Sequence, residues 1–158
     1  MHDRTGEVAI RLLEEPDLQE AFDVLRRLRT HLTWELFRER LDRQRRVQGY
    51  RLVGAFASGK VVGVLGMRPV ETMARGPHLH VDDLVVAEHV RGRGIGRSLL
   101  AYAEQFARRH GLGAVFLDSR PEALPFYVAL GYRHHTATLM RKALDDAGID
   151  GPGLSPGG

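Results

Sequence analysis

The hydrophobic positions change period along the chain, and each change marks a new element. Val8-Ala9-Ile10-Arg11-Leu12-Leu13 is a short apolar run that predicts a first strand. Pro16 and Asp17 then open a helix, in which Leu18, Phe22, Leu25 and Leu28 recur at helical spacing. Asp17 is the expected N-cap, and Glu20 three residues later completes a capping box. Thr33 caps a second predicted helix. Its apolar side carries Trp34, Phe37 and Leu41, and its other side carries Arg38, Arg40, Arg43, Arg45 and Arg46. The period then shortens. Tyr50 to Ala57 and Lys60 to Arg68 read as two strands joined at Ser58-Gly59, a two-residue hairpin signal. Pro69 to Pro77 is rich in chain breakers and reads as a connection, and Leu79 to Val86 is the next strand. Arg97 to His110 returns to helical spacing, with Leu99, Leu100, Ala103, Phe106 and Ala107 as the apolar stripe and Gly111 at the stop position. Ala114 to Ser119 reads as a buried strand, Pro121 to Leu130 as a short helix before Gly131, and Thr136 to Lys142 as a final strand.

Hairpins come first and strand-helix-strand units follow. That order predicts an α/β (α+β mixed) class, with a central mixed sheet and helices on both faces. No internal repeat and no linker interrupts the pattern, so residues 1–146 read as one domain. Residues 147–158 are mostly Gly, Pro and Ser and are expected to be a disordered tail.

Composition changes this picture in a few places. With 158 residues the chain can bury a core without staples, and with no cysteine it has no disulfide and no thiolate nucleophile. No run of about 18 apolar residues is present, so no spanning helix is expected. The first residues lack the apolar core of a leader, and the expected location is cytoplasmic. The formal net charge is +3, carried almost wholly by arginine, since Lys60 and Lys142 are the only lysines. Arginine suits phosphate contacts. The charge is too small to argue for DNA, and the arginines of the second helix lack interleaved aromatics, so nucleic acid is an unlikely partner.

The strongest local signal is a strand that runs into Val90-Arg91-Gly92-Arg93-Gly94-Ile95-Gly96-Arg97-Ser98, followed at once by an amphipathic helix. Glycines let backbone approach a ligand and adopt left-handed angles. The first amides of the helix lack internal partners, and the helix dipole favours an anion there. A turn that needs glycine for shape alone is the competing explanation. A P-loop would end in Gly-Lys-Ser/Thr, which is missing. A dinucleotide fingerprint would read Gly-x-Gly-x-x-Gly after a first strand, and here the spacing is Gly92-x-Gly94-x-Gly96 in mid-chain.

Arg91-Gly92-Arg93-Gly94-Ile95-Gly96 resembles the Gln/Arg-x-x-Gly-x-Gly/Ala signature of the GNAT superfamily of N-acetyltransferases. Asp83-Leu84-Val85-Val86 resembles the strand that leads into it. Phe126-Tyr127-Val128-Ala129-Leu130-Gly131-Tyr132 resembles the family's Phe-Tyr…Leu-Gly-Phe/Tyr ending. The resemblance spans roughly residues 8 to 142 in element order. It implies a GNAT fold with two splayed parallel strands, Leu79–Val86 and Ala114–Ser119, and acetyl-CoA as co-substrate between them. It implies that the backbone of Leu84, Val85 and Val86 pairs with the pantetheine arm. The pyrophosphate would then rest on Arg91, Gly92, Arg93, Gly94, Ile95, Gly96, Arg97 and Ser98.

The implied reaction is attack of a neutral amine on a thioester, which needs a proton acceptor, oxyanion support and a proton for the thiolate. An amide near Val85 or Val86 is the candidate for the oxyanion. Tyr127 matches the family tyrosine that faces the sulfur, and a phenol is protonated at neutral pH; a packed aromatic is the competing role. Strict alternation would put His80, Asp82 and Leu84 on one strand face and Val81, Asp83 and Val85 on the other. His80 and Asp82 are therefore the candidate bases, and an amine that arrives already neutral is the third option.

Two departures from the family pattern stand out. Ser119-Arg120-Pro121 replaces a common Asn, and Pro125 restricts the helix that carries Tyr127 to a short one. His134 and His135 are adjacent and on a strand would point apart, so no metal is expected. Trp34 and Phe37 either line an acceptor pocket or pack in the core. The expected partners are acetyl-CoA and an amine acceptor, with no membrane; homodimers are common among relatives. A non-catalytic acyl-CoA-binding module is the alternative function.

Overall fold

The computed structural model describes residues 7–145, and the expected tail at 147–158 lies outside them. Five strands form one sheet in the order β1-β2-β3-β4-β5: β1 Val8–Leu12, β2 Arg51–Ala57, β3 Lys60–Thr72, β4 Gly76–Val86 and β5 Val115–Leu117. The first four are antiparallel to their neighbours, and β4 and β5 are parallel. The sheet is therefore mixed, as the element order predicts.

Helix α1, Leu18–Leu25, and helix α2, Trp34–Gln48, cover one face. There Leu18, Phe22, Leu25, Phe37 and Leu41 pack with Leu52, Val64 and Val85 of the sheet. Helix α3, Ile95–Arg109, covers the other face, where Leu99, Ala103 and Ala107 meet Val53, Leu65, Met67, Leu79 and Val81. The short helix α4, Leu124–Ala129, starts with Pro125 in its first turn, where a missing N–H costs nothing. Apolar spacing thus decided which side of each helix is buried, and the short parallel strand β5 needed α3 as its crossover.

Local chemistry explains several boundaries. Thr33 accepts a hydrogen bond from the Leu36 N–H at 3.1 Å and caps α2 as expected. Ser58 and Gly59 have φ of 52° and 76°, the paired left-handed angles of a tight hairpin turn. The capping box expected at Asp17 and Glu20 is not formed. The Asp17 carboxylate accepts from the Glu14 N–H at 2.8 Å and binds Arg11 at 2.8 Å, which lowers its pKa, while Glu20 accepts from the Val61 N–H at 2.9 Å. Asp17 thus serves a capping box one turn earlier, with Glu14 as the cap, and Glu20 is drawn away to β3.

Two strand boundaries also differ. Pro69 to Pro77 is mostly a continuation of the β3–β4 hairpin, paired from Pro69↔Leu79 to Thr72↔Gly76. Pro69 is tolerated because proline lacks only the donor, and Gly76 at φ 66° closes the turn. Thr136 to Lys142 forms no strand, and Leu139 and Met140 there are 76% and 84% exposed. Strand propensity needs a neighbour to pair with, and β5 offers an edge of only three residues.

Candidate functional site

Two parallel strands part company at one edge of the sheet. Strands β4 and β5 pair at Leu79↔Val115, His80↔Phe116 and Val81↔Leu117, and β5 then ends. Strand β4 continues to Val86, still paired with β3 along its other edge. Residues Asp82 to Val86 therefore have backbone groups on the β5 side that no strand takes. Such groups demand hydrogen-bond partners, and an extended ligand with amide groups can supply them in the manner of an added strand.

A bulge sits at the parting. Gly66 pairs with Asp83 and Met67 with Val81, so Asp82 is an extra residue in β4. The bulge overturns the simple alternation expected from the sequence. Leu84 and Val86 join Leu79 and Val81 on the α3 side, whereas Val85 joins the α1–α2 side. His80, Asp82 and Leu84 do not share one face.

Asp82 and Asp118 are the first residues beyond the last paired rung, and His80 lies between them. Its Nε2 is 3.7 Å from a carboxylate oxygen of each. Asp82 also accepts from Arg68 Nε at 2.9 Å. Burial pushes the Asp82 carboxyl up, and Arg68 opposes that only in part. The neighbouring Asp83 turns to the other side. It accepts from the Tyr50 hydroxyl at 2.8 Å and from Arg29 Nε at 3.1 Å, while Arg29 Nη2 donates to the Asp82 carbonyl at 2.9 Å. Burial, and then the Asp83 charge, push the Tyr50 hydroxyl well up and keep it a donor. Gly66 is required here, since a Cβ would lie 1.9 Å from the Tyr50 oxygen.

The glycine loop closes the far end of the fork. Gly92 and Gly94 have φ of 82° and 77°, and no atom would obstruct a Cβ at either. Their glycine is needed for backbone angle, not for packing. Gly96 is different, because its Cβ would meet the Phe126 ring at 3.1 Å. Helix α3 begins at Ile95, and Ser98 is the residue that closes its first turn: the N–H and the hydroxyl of Ser98 both donate to the Gly94 carbonyl at 3.0 Å. The donors left for a ligand are those ahead of it, at Ile95, Gly96 and Arg97. Arg91, Arg93 and Arg97 are all exposed around them. The arrangement is suited to an anion with several oxygens.

Tyr127, on α4, faces a cavity of about 650 Å³ on the α1–α2 side of the fork. Arg29, Asp82, Asp83 and Asp118 contribute to the same wall; His80 does not. Burial raises the Tyr127 pKa, so its hydroxyl stays protonated at neutral pH. Its ring packs edge-on against Phe126 and Tyr132 at 5.1 and 5.9 Å. Phe37 does both things expected of it: it is buried in the core and reaches the cavity wall. Trp34 packs against Phe22 and Phe37.

The loop, Tyr127, His80 and Asp82, all named from the sequence, lie around the fork. Sequence reasoning missed Arg29, Tyr50, Arg68 and Asp118, whose meeting depends on a bulge and on strand order. Among the described residues, no group of three or more His, Cys, Asp or Glu side chains converges to hold a metal, and no helix is long and apolar enough to cross a membrane.

A family model described as "Acetyltransferase (GNAT) family" matches residues 11–132. An uncharacterized N-acetyltransferase of Bacillus subtilis is 32% identical over 119 residues, spanning 73% of this chain and 84% of that protein. A crystal structure of a Trypanosoma brucei acetyltransferase superposes with a TM-score of 0.73 at 29% identity, covering 87% of this chain and all of that one. The fold is shared with an aminoglycoside N-acetyltransferase solved with CoA, at a TM-score of 0.77, 15% identity, and coverage of 92% and 100%.

Proposed function

Because this chain belongs to the GNAT family of acetyltransferases, we propose that it moves the acetyl group of acetyl-CoA to a primary amine, of a small molecule or a protein, within the fork between β4 and β5. The observation that carries this reading is the fork itself: β4 outruns β5 by five residues and ends at a glycine loop on a helix N-terminus.

Acetyl-CoA supplies a thioester open to attack by a neutral amine. The residues present fit such a molecule. The free backbone of Leu84, Val85 and Val86 pairs with its amide-bearing arm. The amides of the Arg91–Arg97 stretch and the side chains of Arg91, Arg93 and Arg97 hold its pyrophosphate. An amide near Val85 or Val86 meets the carbonyl oxygen as negative charge develops there.

The cavity side brings the acceptor. Asp82 lines the cavity, and burial raises its pKa and so strengthens its carboxylate as a proton acceptor, which makes it the base this geometry favours over His80. Asp82 takes a proton from the amine, directly or through water. As the nitrogen–carbon bond forms and the carbon–sulfur bond breaks, the nitrogen loses its surplus proton to water and Tyr127 gives its phenolic proton to the departing thiolate. Solvent then reprotonates Tyr127 and removes the proton from Asp82. His80 lies between Asp82 and Asp118 at the entrance, with Nε2 3.7 Å from an oxygen of each.

The test is binding of acetyl-CoA by calorimetry together with CoA release over a panel of amines. Release with at least one amine supports transfer. Tight binding with no release from any amine would reduce the protein to an acyl-CoA-binding module.

A further inference from the structure

Helix α2 carries a run of arginines, and Arg40 is the one that lines the cavity beside the fork. Arg38 binds Glu15 and lies over the Trp34 ring, Arg43 binds Glu39 at 2.6 Å, and Arg46 faces Asp42 at 3.7 Å. Those are surface pairs along or beside the helix. Arg40 has no carboxylate partner among the described residues. It lines the cavity and is held by a histidine, with Nη1 3.3 Å from His31 Nε2.

That contact fixes the chemistry of both groups. A guanidinium has donors only. Nε2 of His31 must then accept, and a neutral ring in that state carries its proton on Nδ1. His31 Nδ1 is buried and is the one buried side-chain polar atom without a partner among the described residues. An orphaned buried donor is costly. The fold tolerates it in a ring whose other nitrogen keeps Arg40 in place. Arg40 is thus a cation aimed into a cavity, with its remaining donors unused by any carboxylate of the wall.

The carboxylates of the wall are committed or distant in role. Asp83 is taken by Arg29 and Tyr50, and Asp82 by Arg68. Asp82 and Asp118 at the fork suit an amine arriving as ammonium. Arg40, on the α2 wall, suits a group of opposite sign on the same molecule. We propose that Arg40, positioned by His31, receives an anionic group of the acceptor, so that the substrate is a small primary amine that also carries a carboxylate or a phosphate. This rests on the acetyltransferase reading and narrows its substrate class.

The experiment uses matched amines that differ in the anion: β-alanine against propylamine, and O-phosphoethanolamine against ethanolamine. The full chain is assayed for CoA release, and binding of each amine to the CoA-loaded protein is measured by calorimetry. The expected result is a kcat/KM at least about 10-fold higher for the anionic member of a pair, since a charge-assisted hydrogen bond is of that order. The pair that discriminates more tells carboxylate from phosphate. Arg40→Gln should reduce the anionic-to-neutral ratio by about 10- to 100-fold, and Arg40→Lys should restore part of it. His31→Phe should raise KM for the anionic amine while leaving its kcat and the acetyl-CoA KM in place, a split that general loosening of the fold would not give. Equal or better use of propylamine and ethanolamine overturns the proposal and leaves the transferase standing. If no amine releases CoA, the transferase reading fails. In that case the anion site falls separately, should the CoA-loaded protein bind O-phosphoethanolamine no tighter than ethanolamine.

Discussion

The two halves of β4 have nearly the same composition of apolar and polar residues and opposite employments. From Leu79 to Val81 the strand is paired on both edges, and Leu79 and Val81 are buried beneath α3. Asp82 is paired on neither edge, and from Asp83 to Val86 the strand is paired on one edge only. The paired half spends its hydrogen bonds on the sheet and its side chains on the core. The unpaired half has backbone groups to offer, and the chain surrounds it with Tyr127, Asp118 and the glycine loop. A strand keeps backbone groups free for a ligand when its neighbour stops early, and the bulge at Asp82 marks the switch.

The largest way to break this contrast is at the end of the unpaired half. Gly94→Glu places a carboxylate in the nest proposed for pyrophosphate. A Cβ there meets no atom within 4 Å, so the side chain fits and acts by charge. The left-handed angle costs a non-glycine residue about 1–2 kcal/mol, which a domain of this size tolerates. Calorimetry should show acetyl-CoA binding abolished in a folded variant. Wild-type affinity would remove the loop from the site.

Tyr127→Phe comes next. It keeps the ring packed against Phe126 and Tyr132 and removes only the proton donor. Acid catalysis contributes about 10²–10⁴-fold, so kcat should fall by about 10²-fold where chemistry limits the rate. Acetyl-CoA affinity and Tm should stay near native, because the interaction is made in the transition state. Full turnover in the phenylalanine variant would leave water as the proton source.

The paired half should respond in the opposite currency. Leu79 is fully buried under α3. Leu79→Ala is expected to cost about 2–5 kcal/mol through lost contacts and a residual cavity. Denaturant unfolding should show that loss, while the acetyl-CoA KM of the folded fraction stays close to wild type. A large kinetic effect with little loss of stability would mean that the two halves are not separable.

Most of this architecture was legible before any coordinates. Strand-like apolar runs with a hairpin junction located β2 and most of β3 and β4, and helical spacing picked the buried sides of α1 to α3. The left-handed glycines of the loop and the short helix of Tyr127 were legible because a special backbone angle and a proline leave marks in local sequence. Asp83, Tyr50, Arg29 and Arg68 left no such mark. They lie on four separate stretches of chain and meet only because a one-residue bulge turns Asp82 and Asp83 to different partners. The same bulge defeated the alternation argument for His80, Asp82 and Leu84. Thr136 to Lys142 failed for a different reason: its residue types suit a strand, but β5 gives it almost nothing to pair with.

The subtlest expected effect tests the bulge residue itself. Asp82 can act as a base only when ionised, and burial raises its pKa despite the Arg68 contact at 2.9 Å. The acid limb of kcat/KM should therefore lie above the ordinary carboxylate range, with activity falling as the pH drops through the raised pKa. Stability has the reverse sign. A carboxyl whose pKa is higher folded than unfolded holds more protons in the native state, so stability declines as pH rises from the ordinary value through the raised one. Asp82→Asn keeps an acceptor for Arg68 and removes the titration. It should flatten that limb and that stability slope together, and lower kcat/KM at neutral pH. His80→Gln should keep the limb and move it slightly upward, since His80 lies 3.7 Å from Asp82 and lowers its pKa but does not reach the cavity. A limb that survives Asp82→Asn and disappears in His80→Gln would transfer the role to the histidine. A limb that survives both would mean that the amine enters the fork already neutral, and that the bulge serves to part the strands without serving the proton.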